Sequence, residues 1–422
     1  MSPTFRALHN RNYRLYAAGG VVSNTGTWMQ RVAQDWLVVL LATNAGTALG
    51  ITTGLQFLPA LLLSPYAGLV ADRMPKLRLL KITQTVMALT ALVLGALAVT
   101  GTVQVWHVYV LAFTFGIGSA FDAPARQSFV SEMVGPDEVT NAVGLNSASF
   151  NAARMLGPAV AGLLIAAFGG GVEATGWVIV INGLSYSAVL LALARMNPAL
   201  LHLTPAEKRH KGMIRDAVRY LRGRPDLLMV LSVVGFAGTF GLNFQMTSAL
   251  MATQVFDKGA TEYGLLGSIM AIGSLSGALL AARRTRVRLR LVVGSALLFG
   301  VVEIAAGLMP TYTAYAVIVP LLGLSALTMI TAANTTMQLA TAPHLRGRVM
   351  ALYLMVFMGG TPIGSPFIGW IGETFGARWT LIGGGALVLV GVLGSVALFA
   401  RSRHRLGEAV VVPERVAVAA SA

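Results

Sequence analysis

Apolar positions run through this chain in twelve long blocks, each close to the length of about 20 residues that a helix needs to cross a bilayer. They fall at 15–43, 48–71, 79–99, 105–125, 140–168, 176–194, 227–253, 263–282, 291–309, 313–336, 348–372 and 379–400. The longest separator, 195–226, follows the sixth block. Around its "RDAVRYLRG", Ile214, Val218 and Leu221 recur at helical spacing, which predicts a short amphipathic helix on a membrane surface. The pattern therefore predicts an all-α membrane protein with twelve transmembrane helices in two six-helix bundles. The first bundle spans 1–194, the linker with its surface helix 195–226 and the second bundle 227–405; 406–422 is a short Ala/Val-rich tail, expected to be disordered.

Composition agrees. Of 422 residues, 55% are hydrophobic and 11% charged, whereas soluble domains carry about 25% charge. The net charge of +15 would suit nucleic acid, but its placement argues otherwise. With the N-terminus inside, the cytoplasmic segments hold 27 of the 31 Lys and Arg residues, and the opposite side holds only Lys258 and Arg378. That asymmetry predicts both termini in the cytoplasm and assigns the charge to topology, not to a nucleic-acid partner. The first block is too long and too polar for a cleavable signal peptide. Without cysteine there is no disulfide, thiol nucleophile or thiolate metal site. No metal or hydrolase motif stands out, and no G-x-x-x-x-G-K-[ST] occurs. The chain is thus expected to be no enzyme, to need no cofactor and to act as a monomer. Its expected partners are the lipid bilayer, a small-molecule substrate and protons.

The two halves repeat. At an offset of 207 residues, Pro136, Gly157, Gly162 and Phe168-Gly169 fall on Pro343, Gly364, Gly369 and Phe375-Gly376. Two similar halves about an axis along the membrane normal predict alternating access around a midplane site.

Five segments, "NRNYRLY", "SNTGTWMQRVAQDWLV", "GLVADRMPKLR", "DAPARQSF" and "NAVGLNSASFNAARMLGPAVAGLL", resemble the major facilitator superfamily. The nearest branch is that of transmembrane secretion effectors, which includes enterobactin exporter-like proteins. The resemblance implies the two-bundle fold of that superfamily, secondary active transport and a multi-pass protein of the bacterial cytoplasmic (inner) membrane. "GLVADRMPKLR" is similar to the superfamily's loop motif after span two, with Gly68, Asp72, Arg73 and Arg78 on its Gly, Asp and basic positions and Pro75 where Gly is usual. Gly68 would allow close helix packing, and Asp72 would latch the halves together through a basic residue or helix N-terminus. The second-half counterpart, "GALLAARRTRVRL", has no carboxylate, so such a latch is expected on one side only. "ARMLGPAVAGLL" resembles the antiporter motif at Gly157, Pro158 and Gly162, which implies export, although Ala153 and Ala161 replace two of its glycines. The superfamily's span-four arginine is missing from "VLAFTFGIGSAF", so its proton-relay role cannot be carried over.

Ionisable residues inside a membrane are costly and mark candidate function. Arg31 and Asp35 share a helix face in span one, and Arg154 lies mid-way along span five. Two readings stand for Asp35: a proton-coupling carboxyl facing the cavity, or half of a static ion pair. Glu303 in span nine and Asp122 at the inner end of span four are the other coupling candidates. The peripheral place of span nine in the resembled fold gives Glu303 a structural or lipid-facing setting, and Arg126 beside Asp122 suggests a gate or loop contact. Arg stays protonated, so Arg31 and Arg154 suit packing or substrate binding. Further substrate-cavity candidates are Asn24, Trp28, Asn243, Phe244, Gln245, Met246, Asn334, Gln338, Tyr353 and Phe357, an aromatic and Met-containing set suited to bulky amphipathic molecules. The expected function is proton-driven export of drugs or natural products. One alternative is a dedicated exporter of an anionic siderophore-like compound, which the surplus of arginine would suit; another, of a different class, is a non-transporting membrane sensor or scaffold.

Overall fold

The computed structural model describes residues 3–202, 213–282, 288–342 and 345–399. The tail 406–422, Pro343 and part of the linker lie outside the described residues. The chain is helical throughout. In the first half α1 spans Arg11–Leu41, α2 Ala45–Arg73, α3 Lys76–Val99, α4 Val105–Met133, α5 Val139–Ala167 and α6 Val172–Ala194. A linker helix, α7 (Met213–Arg222), precedes α8 (Pro225–Phe236), α9 (Phe244–Leu250), α10 (Ala260–Ala282), α11 (Leu289–Gly307), α12 (Tyr312–Leu339), α13 (Arg346–Gly359), α14 (Thr361–Phe375) and α15 (Arg378–Leu398).

Among the described residues, eleven helical stretches are long and apolar enough to cross a membrane, with α8–α9 and α13–α14 each counted as one. Helix α1 is 31 residues long, but Asn24, Gln30, Arg31, Gln34 and Asp35 lower its hydropathy. Several polar groups of this helix have partners inside the first half. Gln30 accepts from Asn182 on α6, Gln34 donates to Gln56 on α2 at 3.0 Å, and Thr27 bonds the Tyr186 hydroxyl at 3.1 Å. A buried polar side chain in apolar surroundings must be satisfied in this way. The "NRNYRLY" stretch anchors the start of the helix. The side chain of Asn10 caps the Tyr13 N–H, Asn12 exchanges two hydrogen bonds with the Asn197 backbone beyond α6, and Tyr13 donates to the Ala142 carbonyl at 2.8 Å.

Two expected continuous spans are broken. The seventh passes from α8 through π-helical turns (Ala237–Gly241) to α9, then through a second π-helical run (Met251–Val255). At the first break Asn243 donates to the Thr239 and Phe240 carbonyls (3.1 and 3.3 Å), and Ser365 donates to Asn243 at 2.7 Å. These bonds satisfy backbone groups that a regular helix would pair. The eleventh span breaks between α13 and α14, where Gly360 is followed by Thr361-Pro362; proline has no N–H to continue the ladder.

Helix α7 forms where the amphipathic pattern predicts one. It docks on the second half, with Ala217 and Leu221 buried. Tyr220 and Arg224 both donate to the Ala340 carbonyl at the end of α12 (3.3 and 2.9 Å), and Arg224 grips Asp226 through two bonds. A cation at a helix C-terminus is favourably placed.

The repeat has a geometric meaning. Gly157 and Gly364 let a partner helix of the same half approach, so a side chain there would meet Trp28 on α1 and Thr239 beside α8, respectively. Gly162 and Gly369 do the same across the two halves, against Ala260–Thr261 on α10 and Gly46 and Gly50 on α2. The halves therefore meet along α5–α10 and α2–α14, at the end of the molecule opposite the chain termini, here the far face. The other end of the molecule is the basic face. Val21, Val22, Phe150, Leu354 and Met355 are exposed there, on α1, α5 and α13.

Candidate functional site

Hydrogen bonds near the far face join the two halves. Tyr263 on α10 donates its hydroxyl to Asp35 Oδ2 at 2.9 Å, and the Trp36 ring stacks on Tyr263 with centroids 6.4 Å apart. Ser268 accepts from the Ala159 N–H at 3.2 Å, and Thr261 donates to the Gly162 carbonyl at 3.4 Å. The Gly46 N–H donates to the Glu373 carboxylate at 3.1 Å. Asn44, the N-cap of α2, makes no side-chain cap of its own, so a carboxylate from the opposite half occupies that helix N-terminus.

Asp35 is 7% exposed. The static ion pair with Arg31 does not form; among the described residues no ion pair links them. The Arg31 guanidinium lies 4.8 Å from the Trp28 ring centroid and 5.8 Å from that of Phe57. Its Nε is buried without an acceptor. One turn before Arg154, Phe150 meets Trp28 edge-on at 5.8 Å.

The other coupling candidates have different settings. Asp122 is buried and fully engaged, accepting from Thr83 (2.9 Å), Gln84 (2.7 Å) and Arg126 (2.9 Å); it ties α3 to α4 within one half. Glu303 is 2% exposed: of the expected structural or lipid-facing setting, burial leaves the structural one. Its carboxyl fits a niche against Gly241 and Gly384, 3.1 and 3.3 Å from where their side chains would begin, and its Oε2 makes no hydrogen bond. Two glycines make that room on the inward side of α11.

Of the cavity candidates, Asn24, Trp28, Arg31, Arg154, Phe244, Gln245, Asn334 and Phe357 are half-buried. Gln338 is exposed and donates to Asn334 at 2.6 Å. Asn243, Met246 and Tyr353 are buried in the second half; Asn243 serves the break in the seventh span, and Tyr353 stacks on Phe357 at 6.2 Å. In the loop motif, Asp72, Arg73 and Arg78 are exposed at the basic face. The ion pair beside them joins Lys76 to the buried Glu132. In the antiporter motif, Pro158 packs on Gly264 and Gly267 of α10 and Gly162 on Ala260, so the motif is part of the far-face contact. Sequence reasoning missed Tyr263, Ser268 and Glu373, which gain meaning only from the pairing of helices across halves.

The close approach at Gly162 gives a prediction. Gly162→Leu places a side chain against the Ala260 carbonyl and Thr261, where no space exists, and overpacking of this kind costs about 1–3 kcal/mol. Spin labels at Thr43 and Thr374 should report a longer far-face distance than in the wild type. An unchanged distance distribution would show that this contact does not control closure.

A two-halved helical bundle, with charged and aromatic groups where the halves are fastened at one end, defines a membrane transporter. The chain belongs to the transmembrane secretion effector family of the major facilitator superfamily, whose family model matches residues 2–413. The multidrug efflux pump Tap of Mycolicibacterium fortuitum is 27% identical over 91% of this chain and 94% of that protein. The staphyloferrin A transporter of Staphylococcus aureus is 24% identical over 83% of this chain and 87% of that protein. Among solved structures, a bacterial homologue of the human lysosomal transporter Spinster, inward-facing and unoccupied, superposes with a TM-score of 0.71 at 16% identity, covering 96% of this chain and 98% of that one.

Proposed function

We propose that this protein is a proton antiporter of the bacterial cytoplasmic membrane that exports small amphipathic molecules by alternating access. In this reading α1 is the twelfth span, the basic face and both termini are cytoplasmic, and the described state is inward-facing. The observation that carries it is the Tyr263–Asp35 hydrogen bond: the most deeply placed carboxylate of span one is also the point where the halves are fastened outside. The family membership and the efflux relatives support export.

A donated hydroxyl favours the ionised form of a carboxylate. In the inward-facing state Tyr263 would thus help Asp35 to part with its proton, leaving the cavity ready for substrate. Opening of the outer face withdraws Tyr263 and exposes Asp35 to external protons. Protonation then lets the empty carrier close without carrying a bare charge through the membrane. Gradient energy enters at the same contact that sets the conformation, which is what coupling requires. The narrower reading, a dedicated exporter of an anionic siderophore-like compound, gains support from Arg31 and Arg154, which form no ion pair among the described residues.

Tyr263→Phe tests the coupling. It keeps the ring that stacks on Trp36 and removes one hydrogen bond to a charged group, worth about 1.5–3 kcal/mol or roughly 10- to 100-fold in the closed population. The variant should fold, remain in the membrane and show weaker efflux at a given pH gradient, with a far-face distance shifted outward. Wild-type efflux at every imposed gradient would refute this role for Tyr263.

A further inference from the structure

Every buried carboxylate of the first half is committed away from two of its arginines. Asp35 holds Tyr263, Asp122 holds Arg126, Thr83 and Gln84, and Glu132 holds Lys76. Arg31 and Arg154 flank one aromatic pair: the Arg31 guanidinium lies over Trp28, and Trp28 meets Phe150, one turn before Arg154; among the described residues neither arginine forms an ion pair. The Nε of Arg31 is buried and orphaned. A cation that makes no ion pair is unfavourable inside a membrane protein, and an orphaned guanidinium donor adds to that cost.

The surroundings say what could relieve it. Trp28 and Phe57 face the Arg31 guanidinium, which leaves its edges free to donate. A planar guanidinium matches the two oxygens of a carboxylate or sulfonate. Below it, toward the basic face, Phe150 packs edge-on against Trp28 and is itself 45% exposed. Phe150 and Arg154 are i, i+4 on α5 and share a face. An aromatic wall leads from the basic face to two arginines.

We infer that α1 and α5 form an anion subsite in which Arg31 and Arg154 receive the carboxylate or sulfonate of a substrate whose flat apolar body lies against Trp28 and Phe150. The inference rests on the exporter reading and adds a substrate class to it. The anionic group supplies the acceptor that the protein lacks, and the rings select an apolar body over a small hydrophilic anion. Export of such an anion also runs with a membrane potential that is negative inside.

Calorimetric titration of the purified full chain with 2-naphthoate, neutral 2-naphthamide and cationic 2-naphthylmethylammonium tests the subsite. The wild type should bind the naphthoate at least about tenfold more tightly than the amide, because charge-assisted hydrogen bonds are roughly twice as strong as neutral ones. Arg154→Gln should bring the ratio near one, Arg154→Lys should keep part of the preference, and Phe150→Ala should weaken all three compounds alike. If Arg154→Gln fails to fold, the wild-type ratio and the Lys variant decide. No preference for naphthoate in the wild type, or a preference unchanged in the Arg154 variants, overturns the subsite. Preferential binding of naphthoate with no pH-driven movement of any compound would leave the subsite standing and refute the exporter. Equal binding of all three with pH-driven movement would do the reverse.

Discussion

Asp35→Asn should abolish uphill efflux while leaving substrate binding and passive exchange measurable. Asparagine keeps the shape of the side chain and still accepts the Tyr263 hydroxyl, so the far-face contact at 2.9 Å can persist. What it cannot do is bind and release a proton in the range where the cell maintains its gradient. The carrier should then exchange substrate for substrate without concentrating it, so that gradient-driven efflux falls to the leak rate, because a site that no longer binds the proton gives the gradient no differential hold on the two states. Proteoliposomes preloaded with unlabelled substrate measure exchange, and the same vesicles with an imposed pH gradient measure concentration. Retention of uphill transport at the wild-type rate would transfer the coupling role to Glu303, the other buried carboxyl of the membrane region that keeps an unbonded oxygen.

Asp122→Ala should have the largest effect on stability. The carboxylate collects three donors from α3 and α4, and its removal leaves the Arg126 guanidinium without its charge partner. Breaking a buried ion pair from one side costs about 3–5 kcal/mol, enough to lower the yield and melting temperature of the detergent-purified protein sharply. Asp122→Asn should recover part of that loss, because an amide oxygen still accepts from Thr83 or Gln84. A variant with wild-type melting but no gradient-driven efflux would instead make Asp122 a proton carrier.

Much of the fold could be read from the chain because a bilayer forces it: an apolar block of some 20 residues has few structures open to it other than a spanning helix. The repeated glycines were equally informative, and Gly162 and Gly369 mark the seam between halves at both of its edges. The breaks at Asn243 and Gly360 were not expected, since the few polar residues near them do not interrupt the hydrophobic runs that mark a span. The setting of Glu303 was unreadable for a related reason. Helix α11 is apolar all round, so it has no hydrophobic phase from which the direction of one carboxylate could be inferred. Arg31 and Asp35 were correctly placed on one face, but their spacing suggested a pair that does not form, because a third residue 228 positions away takes the carboxylate. Tyr263 carried no signal within its own span. Its role depends on which helix of the other half faces it, and a single sequence does not contain that pairing.

The central claim is that a proton gradient drives export through this chain, and the most direct measurement is concentrative uptake into inside-out proteoliposomes with an acid interior. A panel of anionic, neutral and cationic aromatic compounds is presented outside at low concentration. The account predicts accumulation of at least one member above its external concentration, lost when an ionophore collapses the pH difference and absent with Asp35→Asn. Accumulation that ignores the ionophore, or a panel that reaches only equilibrium with the wild type while the protein is shown to bind it, would contradict the account.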